Sequence, residues 1–137
     1  MTGKGLEEIL REVSKDEIAV NENVIEFEFR DVLMVCIYDE HHDRMRIISP
    51  IKKYEEVSEL EKDRMMESNF HSSLDARYGV SGGILYSAYI HPLSPLEEKD
   101  VLSGIYQVAS LHLSFGSDYS SGILSFGGEK SEGNDPI

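Results

Sequence analysis

Two adjacent histidines, His41 and His42, stand among three carboxylates in the stretch YDEHHDR, residues 38–44. Imidazole nitrogens and carboxylate oxygens are ligands that a divalent metal takes, and both groups also serve acid–base chemistry. A zinc site needs three or four ligands converging at about 2 Å, whereas adjacent residues of an extended chain point to opposite faces. The stretch also lacks a metal-ligand spacing such as HExxH. We therefore expect a polar turn, and a metal-dependent protein using His41 and His42 is the alternative.

The other reactive side chains give no stronger indication of an enzyme. His71, His91 and His112 are far apart in sequence, and His112 falls on the apolar face of a predicted helix. Cys36 is the only cysteine and lies in an apolar run, where a free cysteine behaves as a small buried hydrophobic residue. No serine-nucleophile, phosphate-binding or dinucleotide-binding motif occurs in the sequence. The sequence thus predicts a non-catalytic protein with no cofactor and no catalytic or metal-binding residues.

Charge and hydropathy restrict the partners. The 137 residues include 26 acidic and 13 basic side chains, which gives a formal net charge of −13. Such a surface repels phosphate backbones, so we expect no nucleic-acid partner. The longest apolar run, VLMVCIY at 32–38, is far shorter than the ~20 residues that a spanning helix needs. The N-terminal segment carries charges where a signal peptide would be apolar, so we expect a cytoplasmic protein without membrane contact.

Helical periodicity occurs in three segments, in a single domain predicted over 1–115. The first helix covers about 5–14. The second covers 55–69, and its apolar residues Tyr54, Val57, Leu60 and Met65 fall on one arc, whereas Met66 and Phe70 fall outside it. Either this helix ends near Met66, or it has a second apolar face that suits a partner or a core contact at the helix end. The third starts with Ser94 as the predicted N-cap and ends near Gly116, and its apolar face comprises Val101, Leu102, Ile105, Val108, Ala109, His112 and Leu113. The acidic Gly/Ser-rich tail, 116–137, is expected to be partly disordered, with a short apolar island at 122–126.

Extended segments fill the space between these helices. Ile25, Phe27 and Phe29 alternate with charged residues, which is typical of a strand with one wet face. The run at 32–38 is apolar at every position, which suits a strand covered on both sides. A third strand, MRIISPI, is predicted to stop at Pro50. Two more strands are predicted within 74–91, on either side of a glycine-rich turn.

Three helices, two of them short, are expected to leave part of a five-stranded sheet uncovered, and the alternative is that the helices and the tail cover every face. An uncovered apolar sheet face is typical of dimerisation or peptide binding. The sequence therefore predicts a protein-binding or dimer interface on the strands at 25–29 and 84–90 and at the end of the second helix. Its predicted residues are Phe27, Phe29, Met65, Met66, Phe70, Leu85 and Tyr89.

The element order, α-β-β-β-α-β-β-α in one small acidic chain, resembles the type III secretion chaperone-like fold. The class I bacterial secretion chaperones have this fold, and so do related bacterial proteins of unclear role. The local sequence is similar as well: a hairpin ending in RMRIISPI, a helix running into MMESNF at 65–70, the segment ARYGVSGGILYSAYIHPL, and a final amphipathic helix. The resemblance covers about residues 5–115 and rests on apolar spacing.

The resemblance implies an α+β fold with a mainly antiparallel sheet, in a cytoplasmic homodimer without catalytic activity. It also implies a protein or peptide client, because class I chaperones hold an extended segment of a secreted protein on apolar patches. Dimers of this family typically pair through the second helix and neighbouring strands, which would explain why Met66 and Phe70 are apolar. A regulatory protein on the same fold is the alternative, since a fold alone does not establish a function.

Overall fold

The structure is a computed structural model that describes residues 1–15 and 17–122. Its elements are α1 (Gly3–Val13), β1 (Ala19–Asn21), β2 (Val24–Phe29), β3 (Val32–Asp39), β4 (Arg44–Lys53), α2 (Glu59–His71), β5 (Arg77–Ser81), β6 (Ile84–Pro92) and α3 (Glu98–Ser114). A short 3-10 turn at Tyr54–Glu56 precedes α2. The predicted α+β architecture is confirmed. The three-residue strand β1 is additional, because the exposed segment AVN has no alternation that would reveal it.

The strands form a six-stranded antiparallel sheet in the order β1-β2-β3-β4-β6-β5. Strands β1 to β4 follow one another as neighbours, and β6 pairs with β4 after the chain has passed through α2 and β5. Gly82 and Gly83 have φ values of 58° and 79° and close the β5–β6 hairpin, as the glycine-rich turn predicts. YDEHHDR turns β3 into β4, so the prediction of a hairpin tip is confirmed.

Helices α1 and α3 pack on one face of this sheet. Because side chains alternate along a strand, every second residue of β2, β3, β4 and β6 points into this core. The buried residues from these strands include Ile25, Phe27, Met34, Cys36, Met45, Ile47, Leu85 and Tyr89. They meet Leu6 and Leu10 of α1 and Val101, Ile105 and Val108 of α3 in one hydrophobic cluster. The alternate residues of the same strands point to the opposite face.

Strand β4 runs through Pro50, so the prediction that it stops there is wrong. A proline has no N–H to donate and is usually excluded from a central strand. Here the ladder with β3 ends at the pair Val35 and Ile48, before the proline is reached. The register with β6 shifts between Pro50 and Lys52. The missing N–H donor therefore falls beyond the end of the β3 ladder and directly before the register shift with β6.

The start of α3 also differs from the prediction. Glu97, and not Ser94, is the N-cap, and it forms a reciprocal capping box with Asp100. Ser94 instead donates its backbone N–H and its hydroxyl to the Asp43 carboxylate, at 2.7 and 2.8 Å. Further along this helix, Leu113 is exposed and Leu111 is buried, in contrast to the predicted apolar face. Ser94 thus links the start of this segment to the β3–β4 hairpin tip, and α3 begins only at Glu98.

After α3 the chain returns to α2. Gly116 has a φ of 92° and reverses the direction of the chain. The carbonyl of Tyr119 then accepts hydrogen bonds from the hydroxyls of Ser68 and Ser72, and the Tyr119 ring is buried edge-on to the ring of Tyr78. The start of the predicted tail is thus fixed on α2, whereas the apolar island from residue 123 onward and the last ten residues lie outside the described residues.

Candidate protein-binding surfaces

The carboxylate of Asp39 organises the YDEHHDR turn. One oxygen accepts the backbone N–H groups of His41 and His42 at 3.0 and 3.1 Å, and the other is 2.7 Å from the ring Nδ1 of His42. The hydrogen bond with the ring is the main cause of a lowered pKa at Asp39. Within residues 1–15 and 17–122, no group of three or more His, Cys, Asp or Glu side chains is placed to hold a metal ion. The two histidines lie edge-to-face in a solvent-exposed turn.

Cys36 is fully buried in the core, and burial raises the pKa of its thiol to about 12. A nucleophilic cysteine needs a thiolate and an accessible position. Cys36 has neither near neutral pH, so it acts as a packing residue between the sheet and the helices, as the apolar run around it predicts.

His112 takes part in a polar chain between α3 and the sheet. The buried Ser49 hydroxyl lies 2.7 Å from the Leu33 carbonyl and 2.9 Å from the ring Nδ1 of His112. A hydroxyl has one proton, and the carbonyl can only accept it, so the Ser49 oxygen accepts from an Nδ1–H of His112. Burial lowers the pKa of His112, because desolvation disfavours the imidazolium. His112 is thus a hydrogen-bonded neutral residue at the edge of the core.

We expect the protein to lose stability as the pH falls through the unfolded-state pKa of histidine, near 6.5. A lowered pKa in the folded state means that the unfolded chain takes up the proton first, so acidification favours unfolding. Below the folded-state pKa of His112 this contribution is fully lost. The measurement is urea unfolding from pH 5 to 8 for the wild type and for His112→Asn. The variant should show a smaller slope in this range, and equal slopes would contradict the assignment.

Four of the seven predicted interface residues lie in the core of the single chain. Phe27, Met65, Leu85 and Tyr89 are at most 5% exposed, so none of them is accessible to a partner. Helices α1 and α3 of the same chain cover the apolar side of β2 and β6 that holds the three strand residues, and Met65 of α2 packs into the same core. Phe29 is half-buried, with its ring centroid 5.1 Å from that of Tyr106. Met66 and Phe70 are the two that remain exposed.

Met66 and Phe70 belong to what we call the α2 stripe, which consists of Glu59, Asp63, Met66 and Phe70. These residues follow one another at spacings of four, three and four, so they lie along one side of the helix. All four are exposed, Met66 by 68% and Phe70 by 83%. The opposite side of α2 holds Ser68 against Tyr119 and Met65 in the core. The stripe therefore combines an apolar half with an acidic half on a fully formed helix.

The second surface is the side of the sheet turned away from α1 and α3, which we call the open sheet face. Its apolar residues are Leu33, Val35, Ile37, Ile48, Pro50, Ile84, Tyr86, Ala88 and Ile90. Leu33 is 47% exposed and Ile90 is 56% exposed, and the other residues of this face are half-buried. The sequence pattern predicted that β3 is covered on both sides. In the single chain it is covered on one.

Comparison with known proteins supports the architecture. Three solved structures align over most of the chain. The HopA1–SchA chaperone–effector complex is 8% identical, with 80% of this chain and 88% of that chain covered and a TM-score of 0.62. The Yersinia pestis type III secretion chaperone SycH, in complex with a stable fragment of YscM2, is 11% identical, with 84% of this chain and 100% of that chain covered and a TM-score of 0.64. The ExsC–ExsE complex is 10% identical, with 82% of this chain and 95% of that chain covered and a TM-score of 0.62. No family model matches the sequence, and no curated protein matches it.

The chain therefore has the type III secretion chaperone-like fold, as the order of its elements predicted. Identities of 8–11% show the fold alone, and all three neighbours are structures of complexes, two of which are described as chaperone complexes. None of the helices in the described part of the chain is long and apolar enough to span a bilayer.

Proposed function

We propose that this protein is a non-catalytic, chaperone-like binding module that works as a homodimer in the cytoplasm and holds a peptide segment or partner protein. The observation that carries the proposal is the α2 stripe, which exposes Met66 and Phe70 on a well-formed helix. An exposed phenylalanine and methionine on adjacent turns are typical of a protein-binding site. The solved structures of the same fold were determined with protein partners, which supports this interpretation.

The charges beside these two residues indicate what the partner looks like. Glu59, which pairs with Lys62 at 3.2 Å, and Asp63 continue the stripe toward the N-terminus of α2, and Glu67 follows Met66 directly. The whole chain adds a net charge of −13 to this local acidity. Opposite charge speeds encounter and improves specificity, whereas like charge disfavours it. We therefore propose a client segment with apolar residues next to lysine or arginine.

Met66→Ser/Phe70→Ser should weaken the binding of such a client at least about tenfold, since each side chain buries apolar surface worth roughly 1.5–3 kcal/mol when it is fully covered. The probes are two labelled 15-residue peptides with identical Leu and Phe positions, one with Lys and one with Glu at the remaining positions. Fluorescence anisotropy gives both dissociation constants. The lysine peptide should bind more tightly, and its affinity should fall with salt.

Leu113→Ser is the matched control, because Leu113 is 54% exposed on α3 and does not belong to the α2 stripe. This variant should bind the lysine peptide like the wild type. If Met66→Ser/Phe70→Ser binds both peptides as tightly as the control does, the α2 stripe is not the client site. The homodimer is tested separately by sedimentation at high micromolar concentration, where a strictly monomeric protein would contradict it.

A further inference from the structure

The last residues that the structure describes lie at the C-terminal end of α2. The backbone N–H of Ser121 donates to the carbonyl of Ser72 at 3.3 Å, and Ser121 is fully buried. Because Ser72 is the C-cap of α2, the segment up to Gly122 is held across the end of this helix. Residues 123–137 therefore continue from a fixed point close to the apolar half of the α2 stripe.

Leu74 adds a third exposed apolar side chain near this point. It follows Phe70 by four residues, as Phe70 follows Met66, and it is 56% exposed. Its backbone has a φ of 48°, a left-handed conformation that a leucine rarely adopts. The loop around it is fixed, since the Arg77 guanidinium donates to the Leu74 carbonyl at 2.7 Å and the next two backbone N–H groups donate to Gln107. The fold thus keeps three apolar side chains in water around the end of α2.

The sequence that continues from this point begins with the apolar island, whose apolar residues are Ile123, Leu124 and Phe126. The run 119–128 around the island contains no charged residue, whereas 129–137 contains three acids and one base. Apolar side chains gain free energy when they leave water together. Three of them next in the chain to three exposed ones therefore favour mutual burial.

The island is long enough to reach all three exposed side chains. Leu74 and Phe70 are each two residues away from Ser72, and Met66 is about 9 Å from it along the helix axis. The extended chain from its fixed point at Ser72 to Phe126 spans up to about 17 Å. No part of the described fold has to move for the island to arrive there.

We propose that the apolar island binds in cis to Met66, Phe70 and Leu74 and covers them until a client displaces it. This inference rests on the client site of the proposed function and adds its regulation, because the tail becomes a built-in competitor for the apolar half of the α2 stripe. Pairing of two copies through the second helix would have to displace the island in the same way.

The charges of the stripe explain how a client can win this competition. The tail beyond the island is acidic on balance, so Glu59 and Asp63 repel it and the tail contacts the apolar half alone. A client with lysine or arginine beside its apolar residues contacts both halves. The competition therefore selects for basic clients, since an uncharged apolar segment gains nothing that the island does not already supply.

The binding of the island is tested with Phe126→Trp in the full-length chain, which has no tryptophan of its own. Acrylamide should quench this single tryptophan at least about threefold less in the folded protein than in urea, because a covered indole is shielded from the quencher. Met66→Ser/Phe70→Ser in the same background should remove most of this protection. Leu113→Ser is the matched control, an exposed apolar residue of α3, and should leave the protection unchanged.

Three results would overturn the proposal. A tryptophan that is as accessible in the folded protein as in urea would show that the island is not covered. Protection that grows with protein concentration would show that the tail binds another copy instead of its own α2. Protection that Leu113→Ser removes and Met66→Ser/Phe70→Ser leaves intact would place the island on a different surface.

The competition is tested with Ile123→Ser/Leu124→Ser/Phe126→Ser and the labelled lysine peptide. This island variant should bind the peptide about three to ten times more tightly than the wild type, because the binding-competent fraction of the chain is no longer reduced by the tail. Ile137→Ser is the matched control, since it removes an apolar side chain from the tail outside the island, and it should bind like the wild type. An island variant with wild-type affinity would contradict the competition.

The two measurements separate this inference from the proposed function. If the lysine peptide binds neither the wild type nor the island variant, the proposed client site is wrong, and so is a competition for it. The quenching of the tryptophan does not depend on any client, so it still decides whether the island covers Met66 and Phe70. If the peptide binds through the α2 stripe but the tryptophan is unprotected, the client site stands and the cis contact is wrong.

Discussion

Gln107→Ala is expected to lower the free energy of unfolding by about 3 kcal/mol. Gln107 is a buried polar residue of α3, 3% exposed, and its carbonyl oxygen accepts the backbone N–H groups of Asp75 and Ala76, both at 2.9 Å. Its amide nitrogen donates to the Asp75 carboxylate at 3.3 Å and to the Ser103 hydroxyl at 3.0 Å. One side chain thereby anchors the start of β5 to α3.

The large effect follows from what the substitution leaves behind. A buried N–H without a partner costs about 1–3 kcal/mol, and Ala76 is fully buried. The cavity left by the amide adds to this cost. Ser103→Ala is the control, because it removes one partner of Gln107 and leaves both backbone N–H groups bonded. Chemical denaturation should show a loss below about 1 kcal/mol for the control. Equal losses for the two variants would show that the backbone bonds to Gln107 do not matter.

Gly104→Val is the second substitution with a large expected effect, again a loss of about 3 kcal/mol. Gly104 is where α3 crosses the sheet, and any Cβ at this position would overlap the ring of Tyr89. That ring is fixed, since Tyr89 is a core residue of β6 with its neighbours packed around it. A branched side chain at 104 therefore has to push α3 away from the sheet, which opens the core along the helix.

Gly79→Val provides the matched comparison for this substitution. Gly79 lies in the edge strand β5, and a Cβ added there meets nothing within 4 Å. Since valine favours strands, the control should change stability by less than about 1 kcal/mol. Thermal unfolding of both variants measures the difference. A Gly104→Val protein as stable as the control would mean that α3 can shift on the sheet without loss.

The sequence predicts the elements well where charge marks one side of them. In β2 the residues Glu26 and Glu28 alternate with Ile25 and Phe27, so both the strand and its buried side follow from the pattern. In β3 and β6 nearly every residue is apolar, and periodicity alone does not distinguish the side under α3 from the open one. For this reason the prediction selected Leu85 and Tyr89 for the interface, whereas the alternate residues Tyr86, Ala88 and Ile90 face outward.

Contacts between distant parts of the chain could not be predicted from the local sequence. Nothing near Gln107 in the sequence indicates that it meets the residues at 75 and 76, and the Tyr119 carbonyl finds Ser68 and Ser72 only after α3 has crossed the sheet. The helical repeat alone places Met66 and Phe70 outside the apolar arc of α2. It does not distinguish an exposed second face from a core contact at the end of the helix, and the structure shows both side chains exposed.

The strand order also has a consequence for the rate and sequence of folding. Strands β2, β3 and β4 are joined by short turns, and such local contacts form quickly because they close small loops. Strands β4 and β6 are neighbours in the sheet but are separated in the sequence by α2 and β5, so their pairing closes a longer loop and is expected to form later. We expect this pairing to limit the folding rate, so the helix that carries Met66 and Phe70 reaches its final position in the slow step. A chain that binds a client through these two residues would then be one that has already completed its folding.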